Sequence, residues 1–568
     1  MFMDKDTKNS LEFQYILNNI NTLTPYGAMY KSRLKAYLPG EEKALKAELE
    51  KLDSLIAVMK NTDARKDFNN VFSHVKDLRT SIRRAMDRFI LTEVEIFEIK
   101  NFLFVLRGLD ELMEKHQIPV YSDIEISPIG DLEDKLDPEN TGISTFYIYD
   151  SYSKKLKTIR EDKRVLDKKI RLKKKEIKEK VKGELGLDIR PDGSVLIAKS
   201  DKAMMDRIKD YPHLIYLSES YMNVKFSIRP TDRIAEMERQ VDLLKGREES
   251  EELYIRERLS VDIKTKRREL FKSISNIGRL DLLIAKARHA IDSEGVRPEI
   301  VDEQMVEIVD GVHLKAQEYL DTKDLSFTPI SISLKRGATC ITGANMGGKT
   351  ISLKMVGLLT AMSQYGLFVP ARSMKLSLNS FIKTSIGDMQ SADSGLSTFG
   401  GETKNVQQAI ERSDKRGLIL IDELARGTNP EEGYAISKAI VGYLKDRNSI
   451  SLLTTHYDNV ADMHEVVHLQ VVGLSRVDID DFQREFAFEN KMEVINKFMD
   501  YNLRRVKSNR EVPKDAINIA KIMGLDEAIL NSAEEYLEEK RQSSLKKSLN
   551  LQKKKFRFKE AILADHRN

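Results

Sequence analysis

Apolar residues recur at intervals of three and four positions across residues 10–115, where glycine and proline are scarce. The stretch LEKLDSLIAVM at residues 49–59 shows this spacing clearly. Such a spacing places the apolar side chains on one face of an α-helix. The pattern therefore predicts a helical domain over residues 1–120.

A long helix is predicted to begin near residue 153, because apolar residues occupy five of seven successive seam positions spaced by three and four. The five residues are Leu156, Ile159, Leu166, Ile170 and Ile177. Lys163 and Lys173 occupy the other two positions. We therefore expect a coiled-coil helix with an imperfect apolar seam.

Two strand-like runs, SVLIA and NVKFSIRP, come after this helix, and a second helical pattern covers about residues 231–293. Two long helices around a short β-rich segment predict a coiled-coil arm with a tip. We expect the arm at about 153–293 and its β insert at about 190–230. Both belong to a region that continues the helical domain over residues 121–296.

Short β runs alternate with helices from residue 297 to about 475, and examples are VEIV, SISL and ATCIT. This alternation is typical of an α/β domain with a parallel sheet. A helical stretch near the C-terminus completes a predicted domain at 297–540. Residues 541–568 form a basic tail that is poor in apolar residues.

The composition of the 568 residues narrows the class of protein. No apolar run reaches 18 residues and the N-terminus is polar, so neither a membrane span nor a signal peptide is expected. The single cysteine, Cys340, excludes an internal disulfide framework and a multi-cysteine metal site. A cytoplasmic location is the default expectation.

The net charge of +4 conceals two strongly basic segments. Residues 154–182 contain fifteen Lys and Arg and five acidic residues, and residues 540–559 contain nine Lys and Arg and no acidic residue. Basic segments on an otherwise acidic chain favour a polyanionic partner such as nucleic acid. Well-solvated lysine-rich helices are the alternative.

The segment GANMGGKT at residues 343–350 has the spacing of a phosphate-binding loop. ATCIT predicts a strand directly before it, and TISLKMVGLL predicts a helix directly after it. Backbone amides of the glycine-rich loop and the helix N-terminus bind phosphate oxygens. Lys349 is placed to reach the β- and γ-phosphates, and Thr350 is placed to bind Mg²⁺.

Two further strands are predicted to end in polar residues beside this loop. GLILIDEL predicts a buried strand followed by Asp422 and Glu423. Asp422 is expected to hold Mg²⁺ and Glu423 to polarise the attacking water. SISLLTTHY predicts a strand that ends at His456, which either senses the γ-phosphate or is a structural histidine.

These motifs together resemble the ATPase domain of the MutS family. The matching segments, in order, are TGANMGGKT, FVPA, LSTF, IDELARGTNPEEG and TTHY. TPYG, DLLIAKARHA and GVHL extend the resemblance into the flanking regions. It covers roughly residues 10–540 and is strongest over 297–475, and it implies a P-loop ATPase domain preceded by a helical lever and clamp.

The resemblance also implies roles for individual residues, with ATP and Mg²⁺ as the cofactors. The phosphate loop would comprise Gly343, Asn345, Gly347, Gly348, Lys349 and Thr350. His456 would be the sensing histidine, and Phe327 would stack on adenine. Family members are dimers with composite sites, so a homodimer is implied in which Ser397 and Thr398 reach the nucleotide of the other subunit.

This sequence differs from the mismatch-repair branch of the family. Those members carry an N-terminal mismatch-reading domain with a Phe-x-Glu motif, followed by a connector domain. Here the lever is predicted to begin near residue 10, so neither domain is expected before it. The only Phe-x-Glu lies at Phe558–Glu560 in the basic tail. The motifs are closest to the second MutS subfamily, but the tail is too short for that subfamily's C-terminal nuclease domain.

Two functions remain open from the sequence. The first is a dimeric DNA-binding ATPase of repair or recombination that clamps duplex or branched DNA through the basic arm and tail. The second is a helper ATPase that remodels a protein client, such as a cobalamin-dependent amino-acid aminomutase. An ABC-type or chromosome-maintenance ATPase is disfavoured, because LSTFGGE stands in place of an LSGGQ-type signature.

Overall fold

A computed structural model describes residues 1–143, 147–343, 348–387, 398–425, 428–473, 500–506, 517, 520 and 525–539. The helices are α1 (Lys5–Ser10), α2 (Phe13–Asn19), α3 (Pro25–Ser32), α4 (Glu42–Met59), α5 (Thr62–Ser73), α6 (Arg79–Met86), α7 (Glu93–Lys115), α8 (Gly130–Leu136), α9 (Lys154–Leu185), α10 (Lys202–Lys209), α11 (Asp232–Thr265), α12 (Arg267–Asp292), α13 (Leu314–Asp321), α14 (Lys349–Gln364), α15 (Thr398–Ile410) and α16 (Pro430–Leu444). Residues 527–539 are also helical.

The strands come mostly from the second half of the chain. They are β1 (Ser194–Ala198), β2 (Leu214–Glu219), β3 (Asn223–Ile228), β4 (Glu299–Ile300), β5 (Met305–Gly311), β6 (Ile330–Lys335), β7 (Gly337–Thr342), β8 (Ser373–Leu376), β9 (Ile382–Ser385), β10 (Leu418–Ile421), β11 (Ile450–Thr454), β12 (Val467–Gly473) and β13 (Asp500–Arg505). The chain divides into two compact units, each with its own core. No helix among the described residues combines the length and the apolar character that crossing a bilayer requires.

One unit comprises Leu23–Met29 and Lys66–Asp281 and contains the predicted long helix, α9. Helix α9 packs against α11 in the antiparallel sense. Two ion pairs show this direction: Arg160 contacts Glu248 at 2.9 Å, and Lys174 contacts Glu238 at 2.7 Å. The residue numbers therefore rise along α9 while they fall along α11. Four of the five predicted seam residues are buried, and Leu166 is partly buried.

The predicted β insert is an antiparallel sheet in the order β1-β3-β2. The strand-like runs correspond to β1 and β3, as the sequence predicts. Strand β2 and helix α10 were missed. Strand β2 lies at the sheet edge and is exposed from Ile215 to Glu219, so it lacks the alternation that identifies a half-buried strand.

The second long helical pattern also differs from expectation, because it forms two helices rather than one. Helix α11 ends at Thr265 and α12 begins at Arg267. The backbone N–H of Lys266 donates to the carbonyls of both Asp262 and Ile263. A shared donor of this kind is common at helix ends, and apolar spacing alone does not reveal a one-residue interruption.

The other unit comprises Met1–Thr22, Tyr30–Arg65 and Leu282–Asn568 and contains a sheet in the order β13-β12-β7-β11-β10-β9. All its pairings are parallel except that of β13 with β12. Strands β7, β10 and β11 are buried along their whole length, as continuous apolar runs predict. The predicted α/β character of this region, with a parallel sheet, is confirmed.

Helices cover both faces of this sheet. Ile419 and Ile421 of β10 share a core with Val406 of α15 and Val441 of α16. Leu420 points the opposite way, and a side-chain carbon added at Gly357 of α14 would lie 2.6 Å from it. Helix α14, which follows the phosphate loop, is therefore held tightly against the sheet.

The N-terminal segment supports the β9 edge of the same sheet. The backbone N–H of Ile382 donates to the Phe2 carbonyl at 2.9 Å, and Lys383 pairs with Asp4 at 2.6 Å. The hydroxyls of Ser10 and Thr384 are 2.7 Å apart. A second, mixed sheet in the order β4-β8-β5-β6 belongs to this unit as well.

Candidate nucleotide-binding site

The predicted site residues follow three neighbouring strands of the parallel sheet. Strand β11 lies between β7 and β10, and all three run in the same direction. The phosphate loop follows β7, Asp422 and Glu423 follow β10, and His456 follows β11. Their side chains are therefore brought to one edge of the sheet, which is where parallel α/β proteins bind ligands.

Glycines form both described ends of the phosphate loop. Gly343 has φ = +132° and Gly348 has φ = +74°, and both values favour a residue without a side chain. Gly348 caps the N-terminus of α14 without a side-chain hydrogen bond, so backbone groups form this end of the loop. Asn345 and Gly347 lie outside the described residues.

Lys349 is the first residue of α14, and its side chain is buried beside Gly343, the first residue of the loop. The residue is only 2% exposed. Its Nζ donates to the Gly343 carbonyl at 2.5 Å and lies 3.5 Å from Nδ1 of His456. A cationic amine is thus fixed between the start of the loop and the end of β11.

Asp422 joins the loop to the neighbouring strand through its carboxylate. One oxygen accepts from the Thr350 hydroxyl at 2.7 Å, and the other accepts from the Thr454 hydroxyl at 2.6 Å. The backbone N–H of Asp422 donates to the Ser385 carbonyl at 2.9 Å. Asp422 is thus held by three hydrogen bonds, two of them to its carboxylate, at the place where the sequence predicts a metal ligand.

Glu423 follows in a backbone conformation that is uncommon for a residue with a side chain, with φ = +46°. Its N–H donates to the Thr454 hydroxyl at 2.8 Å, which fixes the turn. Its carboxylate lies 3.1 Å from Nε2 of His456. The left-handed turn therefore directs the glutamate toward the histidine, and such conformations cluster at functional sites.

Thr454 was not predicted as a site residue, although it makes two of these contacts. Its hydroxyl donates to Asp422 and accepts from the N–H of Glu423. The available signal was a hydroxyl residue at the last position of a buried aliphatic strand. Thr454 therefore positions the carboxylate of Asp422 and the backbone turn at Glu423.

Replacing Thr454 with Val is expected to lower the ATP turnover rate by about tenfold or more, because the Asp422 carboxylate and the Glu423 backbone N–H each lose a hydrogen bond that orients them. Steady-state kinetics with an ATP titration will separate this effect from a change in nucleotide affinity. Thr454→Ser keeps the hydroxyl and should restore most of the rate. Equal rates for the valine and serine variants would contradict the positioning role.

Strands β12 and β13, on the side of β7 away from β11, contact the end of β7 and the ends of the loop, which the sequence did not reveal. The Thr342 hydroxyl and Nε2 of His468 are 2.8 Å apart. A side-chain carbon at Gly343 would lie 3.2 Å from Val471, and one at Gly348 would lie 3.0 Å from the Tyr501 ring. Both loop ends thus pack against the β12–β13 pair, so close contact as well as positive φ requires glycine there.

The described contacts do not link the remaining predicted residues to this site. Ser397 lies outside the described residues, and Thr398 is the first residue of α15. Phe327 lies in the segment between α13 and β6 with intermediate exposure, and its stacking on adenine stays a prediction. Residues 154–182 lie in α9, and the tail at 540–559 lies outside the described residues.

His313, from the GVHL segment, takes a structural part in the described contacts. Its Nδ1 accepts from the backbone N–H of Ala316 at the start of α13, and the residue is 1% exposed. Burial lowers the pKa of His313 to about 4. Cys340 is likewise buried within β7, and burial raises its pKa to about 12, as expected for a structural thiol.

The oxygen ligands present at the site suit Mg²⁺. The Thr350 hydroxyl and the Asp422 carboxylate meet at 2.7 Å, and both are hard oxygen donors. Within the described residues, no group of three or more His, Cys, Asp or Glu side chains is arranged to hold a metal. Mg²⁺ typically takes one or two protein ligands, with waters and substrate phosphates completing its shell, so the residues present fit this ion.

Comparison with known proteins finds a family match over the part of the chain that contains these residues. Residues 339–539, which begin in β7, match the family model described as MutS domain V. The relatives include proteins named Endonuclease MutS2. The one from Caldanaerobacter subterraneus subsp. tengcongensis is 26% identical over 551 residues, covering 94% of this chain and 64% of that protein.

Two further proteins of the same name come from Halothermothrix orenii and Acetivibrio thermocellus. They are 30% and 31% identical to this chain, and each alignment covers 68% of it. The alignments cover 50% and 49% of the two relatives, so the chain spans about half of their length. Members of the MutS family are ATPases whose domain V carries the ATPase site. The chain therefore belongs to the MutS family, in its second subfamily, MutS2.

Proposed function

We propose that this chain is an ATP-hydrolysing, DNA-binding protein of DNA repair or recombination that works as a homodimer. The observation that carries the proposal is the bridge made by Asp422 between Thr350 of the phosphate loop and Thr454, with Glu423 beside His456. This is the set of groups that ATP hydrolysis at a P-loop requires. The MutS2 relatives support DNA as the partner.

The phosphate loop binds the nucleotide in this proposal. Its residues are Gly343, Asn345, Gly347, Gly348, Lys349 and Thr350. Backbone amides and the N-terminus of α14 bind phosphate oxygens, and the buried amine of Lys349 binds the terminal phosphates. Phe327 stacks on the adenine.

Glu423 orients the attacking water and accepts its proton, a role that suits a carboxylate which follows Asp422 at the end of β10. His456 stabilises charge on the γ-phosphate and holds Glu423 in place through their 3.1 Å contact. Thr350 and Asp422 hold Mg²⁺. When bound, this ion neutralises developing charge on the phosphate oxygens.

The wider architecture follows the resemblance. The helical lever and the α9–α11 arm act as a clamp on duplex or branched DNA, with contacts from residues 154–182 and from the tail at 540–559. Ser397 and Thr398 complete the nucleotide site of the other subunit. The protein acts in the cytoplasm.

The helper-ATPase alternative, with a protein client such as a cobalamin-dependent aminomutase, gains no support from the comparisons. The relatives carry the name Endonuclease MutS2, and none of the described contacts favours such a client. If the protein fails to bind DNA, a protein client becomes the alternative to test.

ATP turnover is expected to rise in the presence of DNA, because a clamp that couples nucleotide state to DNA binding must let DNA change the nucleotide cycle. The rate should be measured with duplex, junction and single-stranded DNA at low salt. Lys349→Ala, which disables the nucleotide site, is the control for contaminating ATPases. If none of the three DNAs binds or changes the rate, the DNA part of the proposal fails.

A further inference from the structure

The lysines and arginines of α9 are not spread evenly around the helix. Stepping alternately by three and four residues from Lys154 to Lys182 gives nine positions, of which eight are Lys or Arg and the ninth is Glu161. Residues at this spacing lie on one helical face. We call these eight cations the cationic stripe.

The cationic stripe lies on the solvent side of the α9–α11 pair. The first seven of its nine positions each precede a seam position by two residues, as Lys157 precedes Ile159 and Lys168 precedes Ile170. Two residues correspond to a rotation of roughly 200° around an α-helix. Accordingly, seven of the eight cations are exposed, and Lys178 is partly exposed.

Four of the seven other cations of α9 pair with acidic residues of α11. Residues 232–265 contain ten acidic and seven basic residues. Their acids pair with α9 cations outside the stripe, as Glu248 does with Arg160 and Glu238 does with Lys174. In contrast, Lys157, Lys168 and Arg171 of the stripe form no ion pair within the described residues. The pair therefore has one positive side.

The shape of the stripe favours an extended polyanion. It spans 29 residues, from Lys154 to Lys182, or about 42 Å of helix. A duplex carries one phosphate charge per roughly 1.7 Å of axis, so a surface of this length meets many phosphates. Helix α9 contains no Asn or Gln for reading base edges, and six of the eight stripe cations are lysines, which contact phosphates as point charges.

We infer that the cationic stripe of α9 is a sequence-independent binding surface for the phosphate backbone of duplex DNA. The inference rests on the proposed function and adds to it the face, the residues and the mode of contact. Each engaged cation releases counterions, so the stripe makes DNA binding steeply dependent on salt.

The test compares two triple variants with equal changes in charge. One replaces Lys157, Lys168 and Arg171 of the stripe with Gln, and the control replaces Lys155, Lys169 and Lys180, exposed cations of the same helix outside the stripe. Glutamine is a good helix former, so both variants should fold. Unchanged ATP affinity and circular dichroism will verify this.

Binding to duplex DNA is measured against salt concentration for the wild type and both variants. The stripe variant should flatten the slope of log K against log salt by about 2.7, since each lost phosphate contact removes about 0.9. Its affinity should fall alike for unrelated sequences. The control variant should keep the wild-type slope.

Equal losses in the two variants, or an unchanged slope in the stripe variant, would overturn the inference while leaving DNA binding itself established. A wild-type chain that binds no duplex at low salt would instead remove the proposed function, and the inference with it. The single variant Arg171→Gln, with an expected change of about 0.9, decides the matter if the triple variant is unstable.

Discussion

Replacing Glu423 with Gln is expected to slow ATP turnover by about 10²–10⁴-fold while leaving ATP affinity nearly unchanged. The carboxylate accepts a proton from the attacking water, and a neutral amide of the same size does so poorly. The left-handed turn and the bond from the Glu423 N–H to Thr454 involve only the backbone of this residue. The substitution therefore removes the base without moving the turn.

Single-turnover kinetics and an ATP-binding titration will measure the two quantities separately. The variant should accumulate a nucleotide-bound species, and in the proposed mechanism this species is the dimer, which size-exclusion chromatography with ATP will detect. Glu431→Gln, an exposed acid in the first turn of α16, is the matched control and should hydrolyse ATP normally. Normal turnover by Glu423→Gln would assign water activation to another group, of which His456 is the nearest.

The site was accessible to sequence reasoning because its chemistry is local to strand ends. Three aliphatic strands each end in a short polar segment, and parallel strands bring their carboxyl ends to one edge. Lys349, Asp422, Glu423 and His456 were selected on this ground, and the structure brings them together. The roles assigned to them remain predictions.

Contacts between distant parts of the chain were not accessible in the same way. Tyr501 lies against Gly348, and His468 lies beside Thr342, although 153 and 126 residues separate the partners. Neither residue stands out in its local pattern. Tyr501 is on β13, an antiparallel strand beyond the region, 297 to about 475, in which the sequence predicts alternating strands and helices.

Edge strands and small breaks were missed for a related reason. Apolar spacing reports which side chains are buried, and β2 buries almost none of its own. The interruption between α11 and α12 is a single residue, Lys266, which is too short to be seen in the apolar spacing. In contrast, β7 and β10 were predicted well because they are buried on both faces.

Replacing Lys349 with Ala is expected to weaken ATP binding by about a hundredfold or more. Hydrogen bonds to charged groups contribute about 1.5–3 kcal/mol each, and this amine is placed to make more than one with the terminal phosphates. The residue is 2% exposed, so little water replaces the lost charge. Isothermal titration calorimetry with ATP and with ADP will measure the loss.

Comparing the loss of ATP affinity with the loss of ADP affinity tests more sharply whether Lys349 contacts the γ-phosphate. If the amine contacts the γ-phosphate, the affinity for ATP should fall more than the affinity for ADP. Lys354→Ala is the matched control, because Lys354 lies on the same helix but pairs with Glu12 at 3.4 Å. An ATP affinity that is unchanged in Lys349→Ala, or reduced equally in both variants, would show that α14 does not present this lysine to the nucleotide.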